Sequence, residues 1–114
     1  MDRHQRRFDK GDEMRKRAKL DVNHLEIVAT LRKCGASVVS LASVGGGVPD
    51  LLVGYSGQTC IMEIKDGDKP PSQRALTEDQ MKFHRDWRGG MLVVVDSIDA
   101  ALRVLKVMHG NQSV

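Results

Sequence analysis

The chain has 114 residues, enough for one compact domain and too few for two. A hydrophobic share of 40% can build a single core, and with 4% aromatics that core must rest on Val, Leu, Ile and Met. The net charge is only +3, and no apolar run is long enough to span a bilayer.

The opening Met1-Asp2-Arg3-His4-Gln5-Arg6-Arg7 is charged and leads into no apolar stretch, so it does not read as a secretory signal. Residues 1–20 form a basic arm: Arg3, Arg6, Arg7, Lys10, Arg15, Lys16, Arg17 and Lys19 stand against Asp2, Asp9, Asp12 and Glu13. Charge runs of this kind are ordinarily solvated tails; the functional alternative is an arm that binds phosphates. Asp21 is the predicted N-cap of a helix over residues 22–34, with Gly35 as its stop. Leu25, Val28 and Leu31, with Ala29, form its expected apolar stripe. Residues 37–42 read as a strand, and Gly45-Gly46-Gly47 as a break where the chain turns sharply or approaches a ligand closely.

Residues 51–55 and 59–62 flank Ser56-Gly57-Gln58, giving strand, tight turn, strand. The second strand runs on into Glu63-Ile64-Lys65. Residues 66–75 are expected to be a loop, because Pro70, Pro71 and mixed charges exclude regular structure. Thr77-Glu78-Asp79-Gln80 is a capping-box start, with Leu76 able to staple to Met81, for a helix to about Trp87 stopped by Gly89-Gly90. Met91-Leu92-Val93-Val94-Val95 is a continuous apolar run, which suits a strand covered on both faces. Asp96 or Ser97 caps a last helix from Ile98 to about Met108, ended by Gly110, that buries Ile98, Ala101, Leu102, Leu105 and Met108.

The order is α-β-β-β-α-β-α. Its economical packing is an α/β domain over residues 21–110, a mixed β-sheet flanked by helices, with 111–114 as a tail. Cys34 and Cys60 lack zinc spacing and are expected to be buried free thiols of a reducing cytoplasm, with a disulfide as the alternative.

Chemistry concentrates at two points. Asp50 precedes the first strand of the hairpin, and Glu63 and Lys65 share one face of the second. Two carboxylates and a lysine converging at a sheet edge match what a hard divalent cation and a phosphodiester require. Mg²⁺ or Mn²⁺ takes oxygen ligands, and one or two carboxylates with a main-chain carbonyl suffice when water and substrate supply the rest. Asp50, Glu63 and the carbonyl of Ile64 are the candidate ligands. Lys65 can orient water, assist its deprotonation or steady charge on phosphorus, and the residue types do not choose among these roles.

Each of these residues also has a plainer explanation. Aspartate after proline is ordinary turn chemistry. Glu63 lies among Cys60, Ile61, Met62 and Ile64, where a charge is costly unless paired or metal-bound, and an ion pair with Lys65 would satisfy it.

Gly45-Gly46-Gly47-Val48-Pro49-Asp50, then Glu63-Ile64-Lys65, then Leu76-Thr77 with Gln80 resembles the PD-(D/E)XK nuclease superfamily, and within it the stand-alone, virus-type VRR-NUC domain. The similarity spans roughly residues 20–108 and includes the element order. A bare D…ExK string is weak; the glycine run, the Pro-Asp, the hairpin and the Leu-Thr-x-x-Gln helix start make a more specific set. The resemblance implies a restriction-endonuclease-like fold. It also implies a divalent-metal-dependent endonuclease, a hydrolase that acts as a homodimer on branched DNA such as four-way (Holliday) junctions, and a phage or mobile-element setting in a bacterial cytoplasm.

Through the same resemblance Glu26, on the first helix, joins the metal site directly or through water, and Gln80 lines it. Asn23, one turn before Glu26, could help with less support; His84, four residues after Gln80 on one helix face, could border the site, but a surface histidine is its plainer reading. By position, Lys19, Gly46, Gly47, Lys69 and Arg74 are candidate DNA contacts, as are Lys82, Arg85 and Arg88, though each is individually an ordinary surface residue. No membrane and no small-molecule cofactor is expected. Apolar residues of the hairpin or the last helix would close the dimer. The alternative function is a non-catalytic DNA-structure-binding module of the same fold; a third reading, a small structural protein, leaves Glu63 and Lys65 as a mere ion pair.

Overall fold

The computed structural model describes residues 22–110; the basic arm, its Lys19 and the 111–114 tail lie outside that range. Residues 22–33 form helix α1. Strands β1 (Ser37–Ser40), β2 (Leu51–Tyr55) and β3 (Gln58–Ile64) follow, then helices α2 (Pro71–Arg74) and α3 (Glu78–Asp86), strand β4 (Met91–Val95) and helix α4 (Ile98–Gly110). The four strands make one mixed sheet in the order β1-β2-β3-β4. The pairs β1–β2 and β2–β3 are antiparallel; β3–β4 is parallel. A parallel pair needs a crossover, and the segment carrying α2 and α3 supplies it. The chain is therefore an α/β domain with a mixed sheet flanked by helices, compatible with a restriction-endonuclease-like fold.

Local chemistry accounts for most boundaries. Helix α1 ends in a Schellman motif: Ala36 N–H donates to Leu31 O and Gly35 N–H to Arg32 O, with Gly35 at φ +97°. The hairpin turn places Ser56 at φ +52° and Gly57 at φ +75°, the two left-handed residues of a type I′ turn, so β3 begins one residue early, at Gln58. Helix α3 carries the full capping box, with Gln80 N–H donating to Thr77 Oγ1 and Thr77 N–H to Gln80 Oε1. Ser97 caps α4 by accepting from Ala100 N–H.

The core joins Ile27 and Leu31 of α1 to Val38, Leu51, Val53, Cys60, Met62 and Val95 of the sheet and Ala101, Leu105 and Met108 of α4. Further expectations change. Leu25 is 61% exposed, because it lies two residues, about 200° of helix rotation, from the buried Ile27. Strand β1 stops at Ser40 rather than residue 42, where Ser40 Oγ accepts from Ala42 N–H and the chain turns. The 66–75 loop contains one helical turn, α2, since Pro71 sits at its first position, where a missing N–H costs nothing. Strand β4 is an edge strand with Val94 45% exposed, so it is not covered on both faces. Cys34 is exposed, having fallen in the turn after α1; Cys60 is buried as expected. Among the described residues no helix is long and apolar enough to cross a membrane.

Candidate metal centre

Register brings the two carboxylates together. Leu51 pairs with Met62, so Asp50 and Glu63, the next residues outward, sit side by side where β2 begins and β3 nears its end. Asp50 is held from two directions. Its carbonyl accepts from Leu41 N–H at 2.8 Å, and its Oδ2 accepts from Ile64 N–H at 2.7 Å. A backbone amide bound to a carboxylate is a short, charge-assisted bond that fixes the side chain.

Glu63 is 3% exposed, the only polar or charged residue in the buried set among the described residues. Its Oε1 is buried without a hydrogen-bond partner. Burial pushes its carboxyl up to about 8; a side-chain hydrogen bond and the negative charge of Asp50 push the same way, and Lys65 pulls back. Without a cation, the pair therefore holds a proton at neutral pH. A buried carboxyl with an unsatisfied oxygen is costly unless something at the site compensates it.

Lys65 follows β3. Its N–H donates to Val95 O at 2.8 Å and its carbonyl accepts from Asn23 Nδ2 at 2.9 Å, so the sheet and α1 both hold its backbone. Its ammonium donates to Gln80 Oε1 at 2.8 Å. That oxygen is the same one that accepts from Thr77 N–H, so Gln80 serves the helix cap and the site at once. The ion pairs found among the described residues, Arg74–Asp96 and Arg85–Asp86, do not include Glu63 and Lys65. A Glu63–Lys65 ion pair therefore does not explain the buried acid.

Gly47 sets the other wall. It has φ +82° and lies so close to the backbone of Asp79 and Gln80 that a Cβ would collide with Asp79 O. The glycine run thus packs against the first turn of α3 and keeps Gln80 within reach of Lys65.

The remaining candidates separate. Glu26 is exposed and lines a depression with Asn23, Asp66, Asp68, Asp96 and Asp99. Among the described residues no three His, Cys, Asp or Glu side chains group to hold a metal, Glu26 with Asp50 and Glu63 included. The α1 residue that touches the site is Asn23, one turn earlier. Arg74 approaches Asp96 at 3.9 Å and Lys69 lies in the turn closed by its N–H on Asp66 O. His84, on α3, has a buried Nε2 without a partner and is held below its ordinary value by burial and by Lys65. Trp87 and Phe83 were not singled out by sequence reasoning, yet they line a cavity with Gly46. A lone exposed tryptophan at the end of an amphipathic helix was the available signal.

The donor set fits a hard divalent ion: two carboxylates, one fixed by a backbone amide and one with an unsatisfied oxygen, next to the Ile64 main chain. No family model, no curated protein and no solved structure matches the chain.

Proposed function

We propose that this chain is a Mg²⁺- or Mn²⁺-dependent endonuclease of the PD-(D/E)XK type, similar to stand-alone VRR-NUC domains, that hydrolyses phosphodiester bonds in branched DNA as a homodimer. The observation that carries the reading is buried Glu63, its Oε1 unsatisfied, paired with half-buried Asp50. Asp50, Glu63 and the Ile64 carbonyl would hold the ion. Such an ion supplies Lewis acidity, lowering the pKa of water and offsetting charge that builds on phosphorus.

The chain's own residues do the rest. The Ile64 amide keeps Asp50 from swinging away. Gln80 holds the Lys65 ammonium beside the acid pair, where a fixed cation orients a nucleophilic water or stabilises the crowded phosphate. Asn23 and Val95 anchor the Lys65 backbone, so the lysine projects from a rigid strand end rather than a loop. The basic arm and Lys69, Arg74, Gly46 and Gly47 are the proposed DNA contacts.

The test is cleavage of end-labelled four-way junction, flap, duplex and single-stranded DNA with Mg²⁺, Mn²⁺ or EDTA. Metal-dependent cuts are expected, favouring branched substrates. Lys65→Ala is expected to lower the rate by about 10²–10⁴-fold, the range of a positioned proton-transfer or charge-stabilising group. Tight binding without cuts would replace the nuclease with a non-catalytic DNA-binding module; neither cutting nor binding would end both.

A further inference from the structure

Helix α3 has two sides, and only one serves the acid–lysine site. On the other lies a cavity of about 380 Å³ lined by Gly46, Asp79, Lys82, Phe83, Asp86 and Trp87. The chain has one tryptophan and two phenylalanines, so this cavity gathers two of its few aromatic rings. They stack on each other, with centroids 5.4 Å apart and planes 19° from parallel. Trp87 Nε1–H donates to Gly90 O at 3.0 Å, and Gly89 lies so close to the Cε2–Cζ2 edge that a Cβ there would collide. The indole is thus pinned in one orientation, yet it remains 37% exposed. A pinned aromatic surface loses little entropy on binding. Opposite it, Gly46 has φ +65° and open space where a Cβ would stand, so that wall is bare peptide.

Core packing does not explain these rings: neither belongs to the buried core, Phe83 is only half-buried and Trp87 is exposed. The charges narrow the occupant. Asp79 and Asp86 repel phosphate but accept hydrogen bonds from ring N–H and exocyclic amines, while Lys82 at the rim offers a cation to a backbone phosphate. A flat heterocycle with amine donors, joined to a phosphate, meets all three features. A nucleobase inside a duplex cannot present its face or its pairing edge, whereas an unpaired one can.

We infer that the Gly46–Phe83–Trp87 cavity receives one unpaired nucleobase of the DNA held at the Asp50–Glu63 site. The inference rests on the nuclease reading for its ligand and deepens it: the substrate carries an unpaired nucleotide near the scissile phosphate. The anchor is physical continuity. The turn of α3 that faces Gly47 and carries Gln80 to Lys65 also supplies Asp79 to the cavity. A base seated there would hold its strand in fixed register against the two acids. Stacking of this kind tolerates any base, so the cavity selects structure and not sequence.

Because Trp87 is the sole tryptophan, selectively excited tryptophan emission reports this cavity alone. The wild-type protein is titrated in EDTA, so that no strand is cut, with a fully paired duplex and with the same duplex carrying one unpaired nucleotide. Binding is followed separately by anisotropy of labelled copies. The inference expects quenched Trp87 emission with the unpaired nucleotide and little change with the paired duplex. Trp87→Leu should weaken binding of the unpaired substrate about tenfold and leave the paired duplex unchanged. Binding of both duplexes with identical Trp87 emission, or a Trp87→Leu variant that still prefers the unpaired substrate, would overturn the cavity and leave the nuclease standing. Absence of binding to either DNA would overturn the cavity, and the cleavage assay with Mg²⁺ or Mn²⁺ would decide the nuclease separately. The wild-type titration needs no variant, so it decides even if Trp87→Leu folds poorly.

Discussion

Glu63 carries the sharpest consequence at the scale of single residues. Its carboxyl is pushed from 4.5 to about 8, first by burial and then by Asp50. In the metal-free protein the native state therefore binds a proton that the unfolded state releases between these values. Stability from this group is present below about 4.5 and is lost as pH rises through about 8. Urea unfolding in EDTA at rising pH should show falling stability, and Glu63→Gln should flatten that slope; an unchanged slope in the variant would place the pH dependence elsewhere. The cysteines differ in the same physical terms. Burial raises the Cys60 thiol to about 11, while Cys34 is exposed. A thiol reagent at about pH 8 should modify Cys34 in the native protein and Cys60 only after unfolding. The sequence announced Glu63 because a charge stood among Cys60, Ile61, Met62 and Ile64. It did not announce that Asp50 would bond the Ile64 amide, since that depends on register between two strands.

At the scale of elements, α3 and the glycine run act as one device. Gly47→Ala combines a left-handed backbone with a collision against Asp79, whereas Gly46→Ala meets only the backbone cost. Gly47→Ala should destabilise by about 1–3 kcal/mol, more than Gly46→Ala, and should also lower the proposed nuclease activity by shifting Gln80 from Lys65. Thermal unfolding and cleavage rates of the two variants check this. Thr77→Ala should cost about 1 kcal/mol through the lost cap.

Elements set by local chemistry were legible: the capping box, the tight turn at Ser56-Gly57 and the Gly35 stop each depend on a few adjacent residues. What was not legible depends on distant partners. The apolar run 91–95 fits a central or an edge strand equally well, and only topology makes it an edge. Leu25 and Ile27 both fit a helix face, and only the position of the sheet chooses between them.

For the whole molecule, α1 and α4 supply the helical residues of the core, all against one face of the sheet. On the opposite face, register aligns Val39, Leu52, Ile61 and Leu92 in a row across all four strands, with Val94 beside it. The proposed dimer would need apolar surface of this sort, on the hairpin or on α4, where Val107 is also exposed. Sedimentation should give twice the 12.6 kDa chain mass. Leu52→Glu should dissociate a dimer closed through the sheet, and Val107→Glu one closed through α4; a monomer in the wild type would remove the twofold arrangement.

The central claim is that Asp50 and Glu63 form a divalent-metal site. Calorimetric titration of Mn²⁺ into the wild-type protein, Asp50→Asn and Glu63→Gln tests it most directly. Saturable binding in the wild type, lost or at least about tenfold weaker in both variants, is the predicted result. Equal binding in all three proteins, or none in the wild type, would contradict it.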